Sequence, residues 1–155
     1  MLARIGRITA GIAVAALVVV SLAAAKGSYT ISATLNVKQE VPKQAVKAPN
    51  ARGSFSGTVV ESGKKATLKW KLSYSHMSGK ATAAHIHLGK RGVAGNVLIA
   101  LCGGNCHSGM TGKATFSSDL VDKIERGQTY VNVHTAKNPA GEIRGQLGSA
   151  ALTIS

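Results

Sequence analysis

Acidic residues are scarce in this chain. Its 155 residues include six Asp and Glu against nineteen Lys and Arg, a formal net charge of +13. So few carboxylates, spread from Glu40 to Glu142, make a catalytic acid–base pair hard to assemble. The sequence also lacks a Gly-x-Ser-x-Gly elbow, a phosphate-binding loop and a dinucleotide-binding fingerprint. These absences predict a protein that is not an enzyme.

Aromatic residues are also few: one Trp, three Tyr and two Phe. A basic protein binds nucleic acid or another polyanion by releasing counterions. Proteins that bind single strands add aromatic side chains on which bases stack, and that combination is missing here. The lysines are dispersed along the chain. The predicted partner is therefore an unknown protein or an envelope polyanion, and not nucleic acid.

The first 25 residues have the pattern of a signal peptide. Arg4 and Arg7 precede the apolar run 12–22, and small residues follow at 23–25. This order is typical of a secretory signal peptide, and the run is short for a transmembrane helix, which needs ~20 residues. We predict a signal peptide at 1–25 and one exported domain at 26–155, with no transmembrane span after cleavage. The predicted location is extracytoplasmic (secreted, periplasmic or cell-envelope), and an uncleaved anchor is the alternative.

Two cysteines lie close together in Cys102-Gly-Gly-Asn-Cys106. In an exported protein an even number of cysteines favours a disulfide. The two glycines between them allow the chain to bend into a small ring. Thiolate binding of a metal together with His107 is the weaker alternative.

Alternation of apolar and polar residues predicts seven or eight short strands. One helix is predicted at 118–126, with capping residues at its start and Gly127 as its stop. The absence of a repeating strand–helix–strand pattern favours an all-β antiparallel sandwich or barrel with one short helix. The predicted strands cover 29–37, 53–61, 65–74, 81–88, 96–101, 111–116, 130–135 and 142–147, and 150–154 is a candidate final edge strand.

The segment 130–147 is predicted to be a hairpin. If 136–140 form its loop, His134 lies opposite Glu142, and Asn132 lies opposite Arg144. The same register pairs Thr135 with Gly141 and Val133 with Ile143. One face of the hairpin is then apolar or Gly, and the outer face carries Tyr130, Asn132, His134, Glu142, Arg144 and Gln146.

Four motifs carry a family resemblance. They are Gln-Glu-Val-Pro at 39–42, Thr-Ala-Ala-His-Ile-His-Leu-Gly at 82–89, Tyr-Val-Asn-Val-His-Thr at 130–135, and Asn-Pro-Ala-Gly-Glu-Ile-Arg-Gly-Gln-Leu at 138–147. In this order, across 29–147, they resemble the CHRD (chordin-type) domain family. The resemblance implies an immunoglobulin-like β-sandwich, distantly similar to copper-zinc superoxide dismutase, in an exported bacterial protein. It also implies a non-enzymatic binding or structural module of the envelope or extracellular space.

Three histidines form the candidate site. His85 and His87 are two residues apart on one strand and therefore share a face, and His134 points away from its apolar neighbours. If the two strands are adjacent, three imidazoles converge on one outer sheet face. Imidazole suits copper and zinc, and affinity at nitrogen sites peaks at Cu(II). The alternative function is thus a copper-binding envelope protein, with superoxide dismutase-like chemistry as the less favoured form of it.

The remaining candidate residues support that site. Glu142 could accept a hydrogen bond from the second nitrogen of His134, as carboxylates do for metal-bound imidazoles. His107 or His76 could supply a fourth ligand. The competing interpretation is structural, with the histidines hydrogen-bonded across strands to Asn132, Glu142 and Arg144 and no cofactor.

Overall fold

The computed structural model describes residues 27–151. The predicted signal peptide at 1–25, and residues 152–154 of the predicted last strand, lie outside the described residues. Between residues 27 and 151, no helix is long and apolar enough to cross a membrane.

β-strands are the main regular structure of the described chain. All the predicted strands occur, and the boundaries that fall inside the described residues lie within two residues of expectation. A short 3-10 helix at Val37–Gln39, capped by the Asn36 side chain, replaces the start of the predicted loop after the first strand. The elements are β1 (Ser28–Asn36), β2 (Arg52–Ser62), β3 (Lys65–Ser75), β4 (Ala81–Leu88), β5 (Val97–Gly103), β6 (Met110–Ser117), α1 (Asp119–Glu125), β7 (Thr129–Thr135), β8 (Ile143–Gln146) and β9 (Gly148–Ala151).

The strands form one antiparallel sheet in the order β5-β4-β7-β8-β1-β2-β3-β6, and β9 also pairs with β1. The sheet folds on itself into a nearly closed, sandwich-like arrangement. The predicted all-β class with one short helix is confirmed.

The clearest alternation lies in β3. Leu68, Trp70 and Leu72 are buried, whereas Lys69 and Lys71 are exposed. Burying such large side chains contributes about 1.5–3 kcal/mol each, and this fixes which face of the strand turns inward.

Helix α1 packs on the same core. Leu120, Val121 and Ile124 are buried at helical spacing. Gly127 has a positive φ of 63° and ends the helix as predicted. The predicted capping by Ser118 is wrong, because its side chain makes no capping hydrogen bond.

The predicted hairpin register is correct in its centre. Asn132 pairs with Arg144, and Val133 pairs with Ile143. The pairing of His134 with Glu142 is not part of the ladder, because a turn closed by Asn138 N–H donating to Thr135 O intervenes and β8 begins only at Ile143.

The polar face of the hairpin is not an open outer face, contrary to prediction. Tyr130, Asn132 and Arg144 are only 3%, 2% and 1% exposed. Two segments contact these side chains or their neighbours in the sheet, the loop at 40–51 and the connection at 89–96. The site therefore lies in a partly enclosed position.

Candidate metal centre

Strands β4 and β7 bring the three predicted histidines together. These strands are adjacent, and in their register His85 faces Asn132, His87 faces Tyr130, and Ala83 faces His134. The ring centroids of His85 lie 5.0 Å from His134 and 5.4 Å from His87. One nitrogen from each of the three rings lies within 4.8 Å of the others. The predicted convergence of three imidazoles is thus present in the structure.

Backbone carbonyls orient two of the rings. His134 Nδ1 is 2.9 Å from Pro139 O, and His87 Nδ1 is 3.0 Å from Gly95 O. A carbonyl oxygen only accepts, so each Nδ1 carries the hydrogen and each neutral ring keeps its lone pair on Nε2. This is the arrangement by which proteins fix the tautomer of a metal-binding histidine.

The Nε2 atom of His87 stands out among the three rings. His87 is 8% exposed, and its Nε2 is buried without a hydrogen-bond partner in residues 27–151. Most buried polar side-chain atoms have a partner, and each exception needs an explanation. A lone pair in this position is suited to accepting a positive ion.

His85 completes the group. Its Nδ1 lies 3.2 Å from Nε2 of His134. Because the lone pair of His134 sits on Nε2, His85 Nδ1–H donates to it when no ion is present. If His85 instead carries its hydrogen on Nε2, both facing nitrogens become acceptors and can bind one ion together.

The surroundings keep all three rings neutral. The pKa of His134 is lowered to about 4, mainly by burial and to a smaller extent by His85 and His87, although the hydrogen bond to Pro139 O acts in the opposite direction. Burial also lowers the pKa of His85 and His87, and the charge of Arg144 adds to the effect at His87. Metal binding needs neutral imidazole, so these side chains remain competent ligands at mildly acidic pH.

A stack of side chains supports His87. Its ring lies parallel to that of Tyr130, at 4.9 Å between centroids and 5° between planes. The guanidinium of Arg144 covers Tyr130 at 3.4 Å from the ring centroid, a cation–π contact. Arg144 Nη2 donates to Lys90 O at 2.8 Å, and Tyr130 Oη accepts from Gly95 N. The stack therefore also positions the segment that carries the Gly95 carbonyl.

Glu40 is a residue of this region that sequence reasoning did not assign. It is 1% exposed, and its carboxylate accepts from Asn132 Nδ2 at 2.7 Å. Burial raises its pKa to about 7, although hydrogen bonds from Val41 and Asn132 and the charge of Arg144 act in the opposite direction. Its place in the Gln-Glu-Val-Pro motif was the only available signal.

Glu142 does not serve His134, contrary to prediction. Its carboxylate accepts from Ser78 N (2.5 Å), Ser78 Oγ (2.5 Å), Thr135 Oγ1 (2.5 Å) and Asn138 Nδ2 (2.9 Å). Burial alone would raise the pKa of Glu142, but these hydrogen bonds hold it below its ordinary value. Glu142 links the hairpin turn to the segment after β3. The hydrogen bond to His134 that was predicted for Glu142 is made by the Pro139 carbonyl instead.

The other supporting predictions have mixed outcomes. His107 and His76 are exposed, contact Asn105 O and Ser75 Oγ respectively, and do not belong to the three-histidine group. Neither is positioned as the fourth ligand.

The disulfide between Cys102 and Cys106 is present, with 5.5 Å between the Cα atoms, and the thiolate-metal alternative is therefore wrong.

The distances suit one ion after a small adjustment. Two nitrogens bound to the same ion at ~2.0–2.1 Å can be at most ~4.2 Å apart. The His85–His134 pair satisfies this at 3.2 Å, and the widest spacing of 4.8 Å must close by less than one ångström. Within the described part of the chain the group offers three imidazole ligands.

Comparison with known proteins agrees with the sequence motifs. The family model of the CHRD domain matches residues 31–147. No curated protein and no solved structure matches the chain. A disulfide in a domain of this family is typical of an extracellular fold. Because the match covers most of its length, the chain belongs to the CHRD domain family.

Proposed function

We propose that this CHRD domain is an exported copper-binding protein in which His85, His87 and His134 hold the ion. The observation that carries the proposal is the buried Nε2 of His87, which has no partner within residues 27–151 and belongs to a group with two other imidazoles. Leaving a buried polar atom unpaired costs about 1–3 kcal/mol. A bound ion would remove that cost.

The ligand set favours copper over other common ions. Three imidazoles without a carboxylate or thiolate suit copper or zinc, and the divalent series peaks at Cu(II). Calcium and magnesium prefer oxygen ligands, and these three side chains offer none. Zinc with three histidines is the closest competitor, and the titration below distinguishes the two.

The proposed role is non-enzymatic binding of copper outside the cytoplasm. The carbonyls of Pro139 and Gly95 would hold His134 and His87 with Nε2 towards the ion. Since the group supplies three ligands, a ligand from outside the chain could deliver or collect the ion. Superoxide chemistry would need more than this group supplies, since neither His107 nor His76 is placed as a further ligand.

The test is a titration of the purified protein with Cu(II), followed by electron paramagnetic resonance. We expect one tight equivalent with hyperfine coupling to nitrogen, and a weaker response to Zn(II). In His134→Ala and His85→Ala the affinity should fall at least about 10–100-fold, the range found for losing even an outer-shell partner.

His107→Ala and His76→Ala are the matched controls, because both remove an exposed imidazole outside the group. Their affinity should stay within twofold of the unmodified protein, and circular dichroism should show that all four variants fold. Weak binding that is insensitive to His85 and His134 would contradict the proposal. The three rings would then be part of the sheet architecture, and the search would move to protein partners.

A further inference from the structure

A second surface lies on the other half of the sheet. Strands β1, β2, β3 and β6 are neighbours. In their register Thr30 faces Thr58, Thr58 faces Lys69, and Lys69 faces Lys113. Residues directly opposite on antiparallel strands share one face, so these four side chains form a row across the sheet.

A second row runs parallel to the first. Ser32 faces Ser56, Ser56 faces Lys71, and Lys71 faces Thr111. Because its members are two residues from those of the first row, both rows point to the same face. That face is opposite to the one carrying the buried core. The eight side chains, all Ser, Thr or Lys, are defined here as the hydroxyl–lysine face.

The lysines on this face have no countercharge. Lys69 lies directly opposite Lys113, and like charges in that position destabilise a sheet. None of the six acidic residues of the chain belongs to either row. A surface arranged only for stability would not pair these charges. An anionic ligand would convert the repulsion into attraction.

The face also carries a shallow, open groove. Between the rows lie Ile31, Gly57, Trp70 and Gly112, which project towards the core and leave backbone at the surface. The rows and this strip line a groove of about 730 Å³ that crosses four strands. A groove across strands fits an extended chain better than a compact small molecule.

We propose that the hydroxyl–lysine face binds a carboxylated polysaccharide. Lysine supplies point charges for the anionic groups of such a polymer, carboxylates included, and neither row contains an arginine. The Ser and Thr hydroxyls can donate to and accept from sugar hydroxyls. The rows contain no aromatic side chain, so they offer nothing for a base to stack on.

This surface is separate from the copper site. Its eight side chains are on β1, β2, β3 and β6, whereas the three histidines are on β4 and β7. Binding of the polymer does not depend on copper. One domain could thus be held in an anionic matrix while its metal site remains available.

The experiment measures binding of the full chain to oligogalacturonate by isothermal calorimetry. In Lys69→Gln/Lys113→Gln the dissociation constant should rise at least tenfold. Lys123→Gln/Lys137→Gln is the matched control, because it removes the same charge from two exposed lysines outside the face, and its dissociation constant should change less than twofold. Affinity should fall with added salt, as expected when counterions are released, and neutral dextran should not bind.

The remaining measurements distinguish specific binding at the hydroxyl–lysine face from diffuse charge attraction. Since the face variant removes a repulsive pair, its thermal midpoint should equal or exceed that of the control, so a loss of binding can be assigned to the face. Equal weakening in both variants would show diffuse charge attraction and overturn the proposal. Equal or tighter binding of polyphosphate or single-stranded DNA would also overturn it. His85→Ala should bind the oligosaccharide normally.

Discussion

The two halves of the sheet use alternating residues in different ways. In β1, β2, β3 and β6 most inward positions are apolar and at least partly buried, and most outward positions are Ser, Thr or Lys in contact with solvent. In β4, β7 and β8 the polar positions are largely buried as well, with Asn132 and Arg144 at 2% and 1% exposed. Loops cover this second half, so its polar side chains must find partners inside the protein.

Burial on both faces makes hydrogen bonding decisive in the second half. Asn132 donates to Glu40, and Glu142 accepts four hydrogen bonds. In the described residues of this half, three buried polar side-chain atoms have no hydrogen-bond partner: His87 Nε2, Thr129 Oγ1 and Arg144 Nη1. Such networks rigidify a structure when they are complete and are costly when they are not. The unpaired Nε2 of His87 is the one that the proposed copper ion would satisfy.

The largest expected effect on stability comes from removing the Glu142 carboxylate, the acceptor that links several donors in the loop-covered half (β4, β7 and β8). Glu142→Ala leaves the donors of Ser78, Thr135 and Asn138 without their acceptor. At about 1–3 kcal/mol for each unsatisfied group that water cannot reach, we expect a loss of about 4 kcal/mol in the free energy of unfolding. Urea denaturation measures it.

Glu61→Ala in β2 is the corresponding change in the exposed half, and surface substitutions usually stay within about 0.5 kcal/mol. Equal losses of unfolding free energy in Glu142→Ala and Glu61→Ala would contradict the claim that buried hydrogen bonds matter more in the loop-covered half.

A smaller effect is expected from acidification of the metal-free protein. The pKa of His134 is about 4 in the folded state and 6.5 when unfolded. The unfolded chain therefore binds the proton first, and stability falls as the pH decreases from 6.5 to about 4. After allowance for solvent at this half-buried ring, the loss attributable to it is about 2 kcal/mol.

His134→Gln should flatten that part of the pH profile, whereas His76→Gln should leave it unchanged. Thermal melts at half-unit pH intervals would show the difference. A profile that is the same in all three proteins would mean that His134 is not desolvated.

An effect of comparable size concerns Glu40 and has the opposite sign. Burial raises its pKa from 4.5 to about 7, so the folded state holds its proton longer than the unfolded chain. The contribution of Glu40 to stability consequently falls as the pH rises from 4.5 to about 7. Glu40→Gln should remove this decline while costing about 1 kcal/mol for a weakened hydrogen bond to Asn132 or Val41.

Glu125→Gln, on the exposed side of α1, should show neither effect. Denaturant curves at pH 5 and pH 7 are sufficient to test both variants. Because the His134 effect runs in the opposite direction over part of this range, the effect of Glu40 is read as the difference in unfolding free energy between the unmodified protein and Glu40→Gln. The same difference at pH 5 and pH 7 would contradict the prediction.

The sequence was most informative where one face of a strand meets water. The alternation of Lys69, Trp70 and Lys71 located β3, and the His-x-His spacing placed His85 and His87 on one face. The register counted back from the predicted hairpin loop at 136–140 paired Asn132 with Arg144, as the structure confirms. These inferences needed only the period of a strand.

Sequence reasoning failed where loops close over the sheet. Nothing periodic indicates that Glu40 reaches Asn132, or that the Gly95 and Pro139 carbonyls orient His87 and His134. The assignment of Glu142 to His134 failed because the alternation was extended past the start of β8 into the turn. Backbone acceptors leave no trace in side-chain patterns, so the groups that orient the site had to come from the structure.

The most direct test of the proposed copper site is a crystal structure of the protein grown with one equivalent of copper, with an anomalous difference map recorded at the copper edge. We predict one strong peak about 2.0–2.1 Å, the distance for imidazole on zinc, from a nitrogen of each of His85, His87 and His134. Copper found only at His76 or His107, or three rings unchanged with no peak between them, would contradict the account.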